Sequence, residues 1–418
     1  MNRVVDVLVV GAGPAGLAAA ARLAAASAGR VEVLERERAA GGVPRHCGHA
    51  GFGADHRGRP LDGPAYARRA LRAALRAGAV VRTGVSATGW AGPLALDVTA
   101  PTGLERIRAR AVVLATGARE RPRSARLVPG TRPAGVLTTG ELLRTVGTTG
   151  TSGTVWASRP GGAVAREPLG RRAVVVGGEP VARHAVRTLR AAGVEVAAVV
   201  TELPCAAAQG FGAVPVLTRT TVVELLGRGR ATGLAVRGRD GRTSVLRCDT
   251  VVFTGDWIPD HELARARGLA PAPGTLGPVT DGAYRTAEPG IFAAGNLLRG
   301  VEPARVAAAE GRAAAGAVLD LLSGRPGPAA GVPVLTAGPV RWVTPGLLGP
   351  TAVPLLVRPD RRLVRPLLTV SQDGSPLRRE RLRGEPVPWR SVRLGPEWTS
   401  GVDPAGGPVL VGAEEYAR

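Results

Sequence analysis

Between Gly41 and Gly53 the chain reads Gly-Gly-Val-Pro-Arg-His-Cys-Gly-His-Ala-Gly-Phe-Gly, which gathers Arg45, His46, Cys47 and His49 within five positions. Two of the five histidines and one of the three cysteines fall here. Imidazoles titrate near neutrality, so His46 and His49 are candidates for proton transfer. The guanidinium of Arg45 suits a substrate carboxylate, and Cys47 completes the candidate catalytic set. A metal reading, with His46, Cys47 and His49 as ligands, needs a fourth group that no neighbouring motif supplies. The plainer alternative is a polar loop that only shapes a pocket.

Such side chains need a scaffold, and the first thirty-five residues predict one. An apolar strand, Val4 to Val10, runs into Gly11-Ala-Gly13-Pro14-Ala15-Gly16 and then an Ala-rich helix. Gly11 allows the tight turn, Gly13 lets backbone approach a pyrophosphate, and Gly16 lets the helix pack against the sheet. A helix N-terminus there offers N–H groups to phosphate. The next strand, Val31 to Glu35, ends in an acid placed to accept ribose hydroxyls, with Arg36 beside it. Strand, glycine turn, helix, strand and acid in that order predict a dinucleotide site.

Composition narrows the rest. At 418 residues two or three domains are expected. The net charge of +22 comes from arginine alone, because the sequence has no lysine. That excludes a lysine Schiff base and a Walker lysine. The arginines are scattered and Tyr and Phe are scarce, so no nucleic-acid platform is expected. Biased codon usage, an acidic partner subunit or an anionic substrate accounts for the charge. Cys47, Cys205 and Cys248 form no CxxC or ligand cluster, which excludes a redox dithiol motif and an iron–sulfur segment. Cysteines this far apart suit a reducing cytoplasm. The apolar stretch Val7 to Ala21 is too short to span a bilayer and no export signal precedes it, so no membrane span is expected.

An acid followed closely by the pair Gly41-Gly42 resembles the FAD-binding half of the two-dinucleotide-domain flavoproteins, the group that includes the pyridine nucleotide-disulfide oxidoreductases. Leu114-Ala-Thr116-Gly117-Ala118 is similar to the motif that closes their FAD domain. Tyr284-Arg-Thr-Ala-Glu-Pro-Gly-Ile-Phe-Ala-Ala-Gly295-Asn296-Leu297 resembles their last FAD motif, in which Asn296 replaces an acid that meets the ribityl chain. An amide can still bond a hydroxyl. The resemblance implies FAD held through Gly11, Gly13, Pro14, Ala15, Gly16, Glu35, Arg36, Gly42, Thr116, Gly117, Gly295 and Asn296. It also implies that the helix Pro303 to Leu322 starts near the pyrimidine side of the flavin. In the disulfide reductases the stretch matching 41–53 carries a cysteine pair, whereas only Cys47 stands here. The implied branch is therefore that of FAD subunits of amine, opine, proline or sarcosine-type dehydrogenases, in which Arg45 can also face the charge of a reduced flavin.

The first pattern repeats from Arg172 to Glu202, with Gly177 opening the turn and a meander from Ala231 to Thr254. Glu179 and Ala182 occupy the second and third glycine positions. Ala182 is acceptable, but Glu179 sets a carboxylate beside the phosphate path unless Pro180 aims it outward. Glu202 favours an unphosphorylated ribose, so NAD over NADP is the second cofactor if one binds here. Asp256 to Glu262 forms another polar cluster, in which Trp257 and His261 are placed to line the flavin route and Asp260 to cap a helix.

The expected fold is α/β: two Rossmann-like three-layer dinucleotide-binding domains plus a small β-rich C-terminal domain. The expected division is 1–122 and 280–326 for FAD, 123–279 for the NAD(P)-like insertion with a flexible 148–172, and 327–418 for the β-rich part. The expected function is FAD-dependent hydride transfer between a small organic substrate or NAD(P)H and another acceptor, in a cytoplasmic homo- or hetero-oligomer. The alternative is an electron-relaying or non-catalytic subunit of a heteromeric dehydrogenase.

Overall fold

A computed structural model describes residues 2–149, 169–204, 210–325 and 331–415. They form two compact units, Met1–Arg119 with Ile258–Arg418, and Glu120–Trp257.

In the first unit the central sheet runs Ile291–Ala293, Ala111–Leu114, Val7–Val10, Val31–Glu35, Val80–Thr83 from edge to edge, all parallel. Every residue of Val7–Val10 is buried, as a parallel strand covered on both faces requires. Val7 and Val9 face Leu17, Leu23 and Val318 of the helices Pro14–Ala25 and Ala304–Leu322. Leu8 and Val10 face Leu96, Val98 and Ile107 of a four-stranded meander sheet. These are the three layers expected. Asp62 caps the helix Gly63–Arg76 by accepting from the Ala65 amide at 2.7 Å.

One acid in the central sheet is fully buried. Glu32 takes Arg3 at 3.1 Å, Arg30 at 3.5 Å and Arg82 at 3.0 Å. Removing its charge strands guanidinium groups against the sheet. We expect Glu32→Gln to cost about 3 kcal/mol, read from the urea midpoint, with FAD binding unchanged in the folded protein.

The second unit repeats the plan. Its parallel sheet runs Val136–Thr138, Thr250–Phe253, Arg172–Val176, Glu195–Val200, Val216–Leu217. The meander is Thr221–Leu226, Gly233–Arg237 and Thr243–Arg247. Of the stretch expected to be flexible, Thr148 and Thr149 instead end the helix Thr139–Thr149, and Arg172 opens a strand. Residues 150–168 lie outside the described residues.

The C-terminal part packs two sheets over a core of Leu355, Val370, Val409 and Val411. Asp373 and Gly374 both take positive φ, +49° and +79°, in the turn joining Leu367–Gln372 to Ser375–Arg381. Val332–Thr336 and Leu347–Leu348 are strands that the sequence reading did not contain.

Candidate active site

Glycines from three parts of the first unit converge on the turn after Val10. Gly11 has φ +105°, and a Cβ there would lie under 3.0 Å from the Ala115 carbonyl. One on Gly16 would strike the Gly11 carbonyl. Gly42 (φ +62°) approaches Gly13 Cα to 2.9 Å measured from an added Cβ, and Gly295 (φ +76°) approaches the Ala15 methyl to 2.7 Å. Gly13 differs, because a Cβ there meets nothing within 4 Å. No side chain caps the helix that Pro14 opens, so its first amides face that open space. The crevice lies between the ends of Val7–Val10 and Ala111–Leu114, where strand order reverses and dinucleotides bind in such sheets. A phosphate group fits here on the evidence of Gly13 alone.

Glu35 is buried beside this turn. One carboxylate oxygen accepts from the Ala12 amide at 3.1 Å and the other from Glu37 N at 2.9 Å. Burial raises its pKa, against the pull of the Ala12 amide and of Arg45 and Arg36. Each oxygen keeps a lone pair for a ribose hydroxyl. Arg36 turns to Asp260, at 2.8 Å, and Arg119 binds the same carboxylate. Thr116 Oγ1 donates to the Asp260 carbonyl at 2.7 Å, and Asp260 N donates to the Gly117 carbonyl at 2.9 Å. Asp260 is therefore an anchor for the Thr116–Gly117 turn and not the helix cap expected. His261 takes the cap position of Glu262–Ala266, with its Nδ1 at 2.5 Å from the Leu276 carbonyl. Trp257 belongs to the second unit.

Gly295 and Asn296 form the other wall. Asn296 Oδ1 accepts from Glu302 N at 2.9 Å, and Nδ2 reaches the Glu302 carbonyl at 3.4 Å. A second lone pair and a second hydrogen remain on this amide for a ligand hydroxyl. Gly295 N donates to Glu310 at 3.0 Å. Glu310 escaped the sequence reading, although an acid flanked by alanines in the helix Ala304–Leu322 was a visible signal.

The chemistry-bearing stretch forms a single 3-10 turn, Val43–His46, directly after Gly42. Arg45 donates to Glu37, and its Nη2 lies 3.1 Å from His46 Nε2. His46 Nε2 is also 3.8 Å from the Glu37 carboxylate. A guanidinium only donates, so Nε2 accepts from Arg45 when the ring is neutral with its hydrogen on Nδ1 and faces Glu37 as donor when it is protonated. Cys47 Sγ is buried and lies 3.6 Å from the Val43 carbonyl. His49 is directed elsewhere, with its ring 5.5 Å from Phe52, which is 5.9 Å from Tyr66. The structure thus joins Arg45 and His46 to Glu37, a residue the sequence reading passed over, and sets His49 in a separate aromatic row. Among the described residues no three His, Cys, Asp or Glu side chains gather as metal ligands.

In the second unit Gly177 has φ +138°, and Thr254 Oγ1 fills the space beside it. The Glu179 carboxyl points neither outward nor along the helix axis. It sits between the two glycine turns, since a Cβ on Gly177 or Gly255 would fall 2.9 Å from it. Those turns follow the strands Arg172–Val176 and Thr250–Phe253, at the reversal of strand order. Glu179 Oε1 is buried with no hydrogen-bond partner. Burial, the largest influence, raises its pKa, while Thr254 and Arg126 oppose. Arg126 is held by the Gly255 carbonyl at 2.7 Å and over the Phe253 ring, and burial lowers its pKa. Ala182 is buried, and Glu202 is exposed beyond the end of Glu195–Val200.

A native carboxyl with raised pKa binds its proton more tightly than the unfolded chain does, so it loses stability as pH climbs above the ordinary value of 4.5. Glu179→Gln should therefore raise the melting temperature by on the order of 2 °C at pH 8. The gain should vanish near pH 4, as melting curves across that range would record.

The family described as pyridine nucleotide-disulphide oxidoreductase matches residues 5–311, which hold every glycine turn above. The chain belongs to this family. As a pyridine nucleotide-disulphide oxidoreductase it is an FAD-dependent, NAD(P)-linked enzyme. Its fold is similar to that of thioredoxin reductase from T. acidophilum, at TM-score 0.59 and 22% identity over 77% of this chain and 99% of that one. Bacillithiol disulfide reductase from Bacillus cereus gives 0.60 and 20%, over 78% and 100%. L-proline dehydrogenase from P. horikoshii gives 0.54 and 20%, over 77% and 56%. No curated protein matches the chain in sequence. Within this oxidoreductase, Gly11, Gly16, Gly42 and Gly295 converge on the turn at Gly13, with Glu35 bonded to the Ala12 amide. No helix among the described residues is long and apolar enough to cross a membrane.

Proposed function

We propose that this oxidoreductase exchanges a hydride with a small organic substrate, an amino acid or related amine, in the manner of FAD subunits of amine, opine, proline or sarcosine-type dehydrogenases. The observation that carries the reading is the Arg45–His46–Glu37 cluster on the turn beside Gly13, in place of a cysteine pair. FAD supplies the hydride chemistry when bound. Arg45, by turning to a substrate carboxylate, releases His46 Nε2 to accept a proton, and Glu37 stabilises the imidazolium that results. NAD(P), or an acidic partner subunit attracted by the +22 charge, takes the electrons onward in a cytoplasmic oligomer. The proposal keeps the division into 1–122, 123–279, 280–326 and 327–418, with His49 and Cys47 shaping the pocket.

Anaerobic titration of the yellow protein with amino acids, amines and NADH tests this. Bleaching of the flavin by an amine or amino acid, slowed at least a hundredfold in His46→Gln, is the expected result. Bleaching only by NADH, followed by reoxidation with a disulfide and release of two thiols, would overturn it. Turnover of the isolated chain with an artificial acceptor separates a complete enzyme from a relaying subunit.

A further inference from the structure

The segment that links Asn296 to the helix Ala304–Leu322 is held by four buried charges. Arg299, Glu302, Glu310 and Arg358 are 1%, 9%, 5% and 5% exposed. Glu310 takes Arg299 and the Gly295 amide. Glu302 takes Arg358 at 2.6 Å, Ser391 Oγ, and Arg299 at 3.6 Å. Arg358 also donates to the carbonyls of Gly300 at 3.2 Å and Val301 at 3.3 Å. The indole of Trp342 lies 4.6 Å from Arg358 and 5.7 Å from Arg299.

Arg358, Ser391 and Trp342 come from the β-rich C-terminal part, which makes no other candidate site. Burying four charges is a poor way to gain stability, because desolvation offsets most of the attraction and apolar packing does as well. What the network does supply is geometry. The Glu302 whose carboxylate Arg358 grips has its own backbone N–H and C=O bracketed by the Asn296 amide. Two contacts therefore connect the C-terminal sheet, through Glu302 two residues ahead of the long helix, to the Asn296 amide. Burial brings the Arg358 pKa to about 10, still fully charged at neutral pH.

We propose that Arg358 is a positioning residue of the flavin site: through Glu302 it sets the placement of Asn296 and of the start of Ala304–Leu322, so the β-rich C-terminal part tunes how FAD is held. The inference rests on FAD occupying the crevice at Gly13.

The full-length protein with FAD is compared with Arg358→Met, Arg358→Lys, Ser391→Ala and a control, Val370→Ala, which opens a cavity in the C-terminal core and removes none of the partners of Glu302. FAD dissociation constant, visible flavin spectrum, midpoint potential and melting temperature are measured for each. Arg358→Met is expected to weaken FAD at least tenfold, to shift the flavin bands, and to change the relative hold on oxidised and reduced flavin about tenfold, near 30 mV for a two-electron couple. Arg358→Lys recovers part of both, and Ser391→Ala shows the same spectral change at smaller size. Val370→Ala lowers the melting temperature alone. If the Arg358 and Ser391 variants alter only the melting temperature, as the control does, the proposal fails. Should Arg358→Met not fold, Ser391→Ala and Arg358→Lys decide by the same spectral and binding readouts. A wild-type chain that takes up no FAD would refute the flavin crevice itself, an outcome distinct from variants that merely match wild type.

Discussion

Gly13→Val should give a folded protein that no longer keeps its FAD. The backbone at Gly13 is extended, with φ −81° and ψ −173°, so valine is conformationally acceptable. Its Cβ meets no protein atom within 4 Å. Nothing in the apo fold resists it, and the whole cost falls on the pyrophosphate that must occupy that space. Displacing the phosphates from the Ala15 and Gly16 amides loses charge-assisted hydrogen bonds worth roughly 1.5–3 kcal/mol each. The affinity should drop at least a hundredfold, about 2.7 kcal/mol. Far-UV circular dichroism and the apo melting temperature should match those of deflavinated wild type. Gly16→Val provides the contrast, because its Cβ meets the Gly11 carbonyl under 3.0 Å and the fold itself should fail. If Gly13→Val purifies yellow with full flavin content, the phosphates do not pass where the turn directs them.

Glu179→Gly should strengthen NADH binding at least tenfold and leave FAD content unchanged. The Glu179 carboxyl occupies the reversal point of the second sheet, between Gly177 and Gly255, where a dinucleotide has to approach. Two penalties disappear with it. One is steric, since the carboxyl fills the gap between the glycine turns. The other is the like charge that a carboxylate presents to two phosphates. At 1.4 kcal/mol per factor of ten, even partial relief is measurable. Arg126 then faces only Asp256 and Glu120 and offers more of its charge to the incoming phosphates. Rapid-mixing reduction of the flavin over a range of NADH concentrations reads the change. Equal saturation curves for both proteins would show that Glu179 swings clear at no cost.

The glycine turns were legible in the sequence because each answers a local steric demand: Gly11, Gly16 and Gly42 stand at fixed spacings from a strand end. Asp260 was misread for the opposite reason. A local rule made it a helix cap, yet Arg36, 224 positions away, and Arg119, 141 away, claim its carboxylate. The charged network was equally hidden, since Arg358 meets Glu302 across 56 positions and nothing in either neighbourhood announces the other. His46 and Arg45 were identifiable by residue type, but their partner Glu37 was one acid among thirty-three carboxylates until the turn at Gly42 folded it back. Val136–Thr138 is too short to show alternation, and only its pairing with Thr250–Phe253 makes it a strand.

The chain order of the first unit dictates when this protein can acquire its cofactor during synthesis. Its sheet and its helix layer stay incomplete when Arg119 has left the ribosome, because Ile291–Ala293 and Ala304–Leu322 are still unmade. Roughly 200 further residues, about 10–40 s of translation, must be made before Leu322 completes the helix layer. Throughout that interval Val7, Val9 and Leu23 lack their partners Ala315 and Val318. The continuous insertion Glu120–Trp257 contains all of its own strands and can finish first. Nascent chains arrested before Gly295 should accordingly bind no FAD and should depend on chaperones, whereas those arrested beyond Leu322 should begin to take it up and only those that include Arg358 and Ser391 should hold it with full affinity.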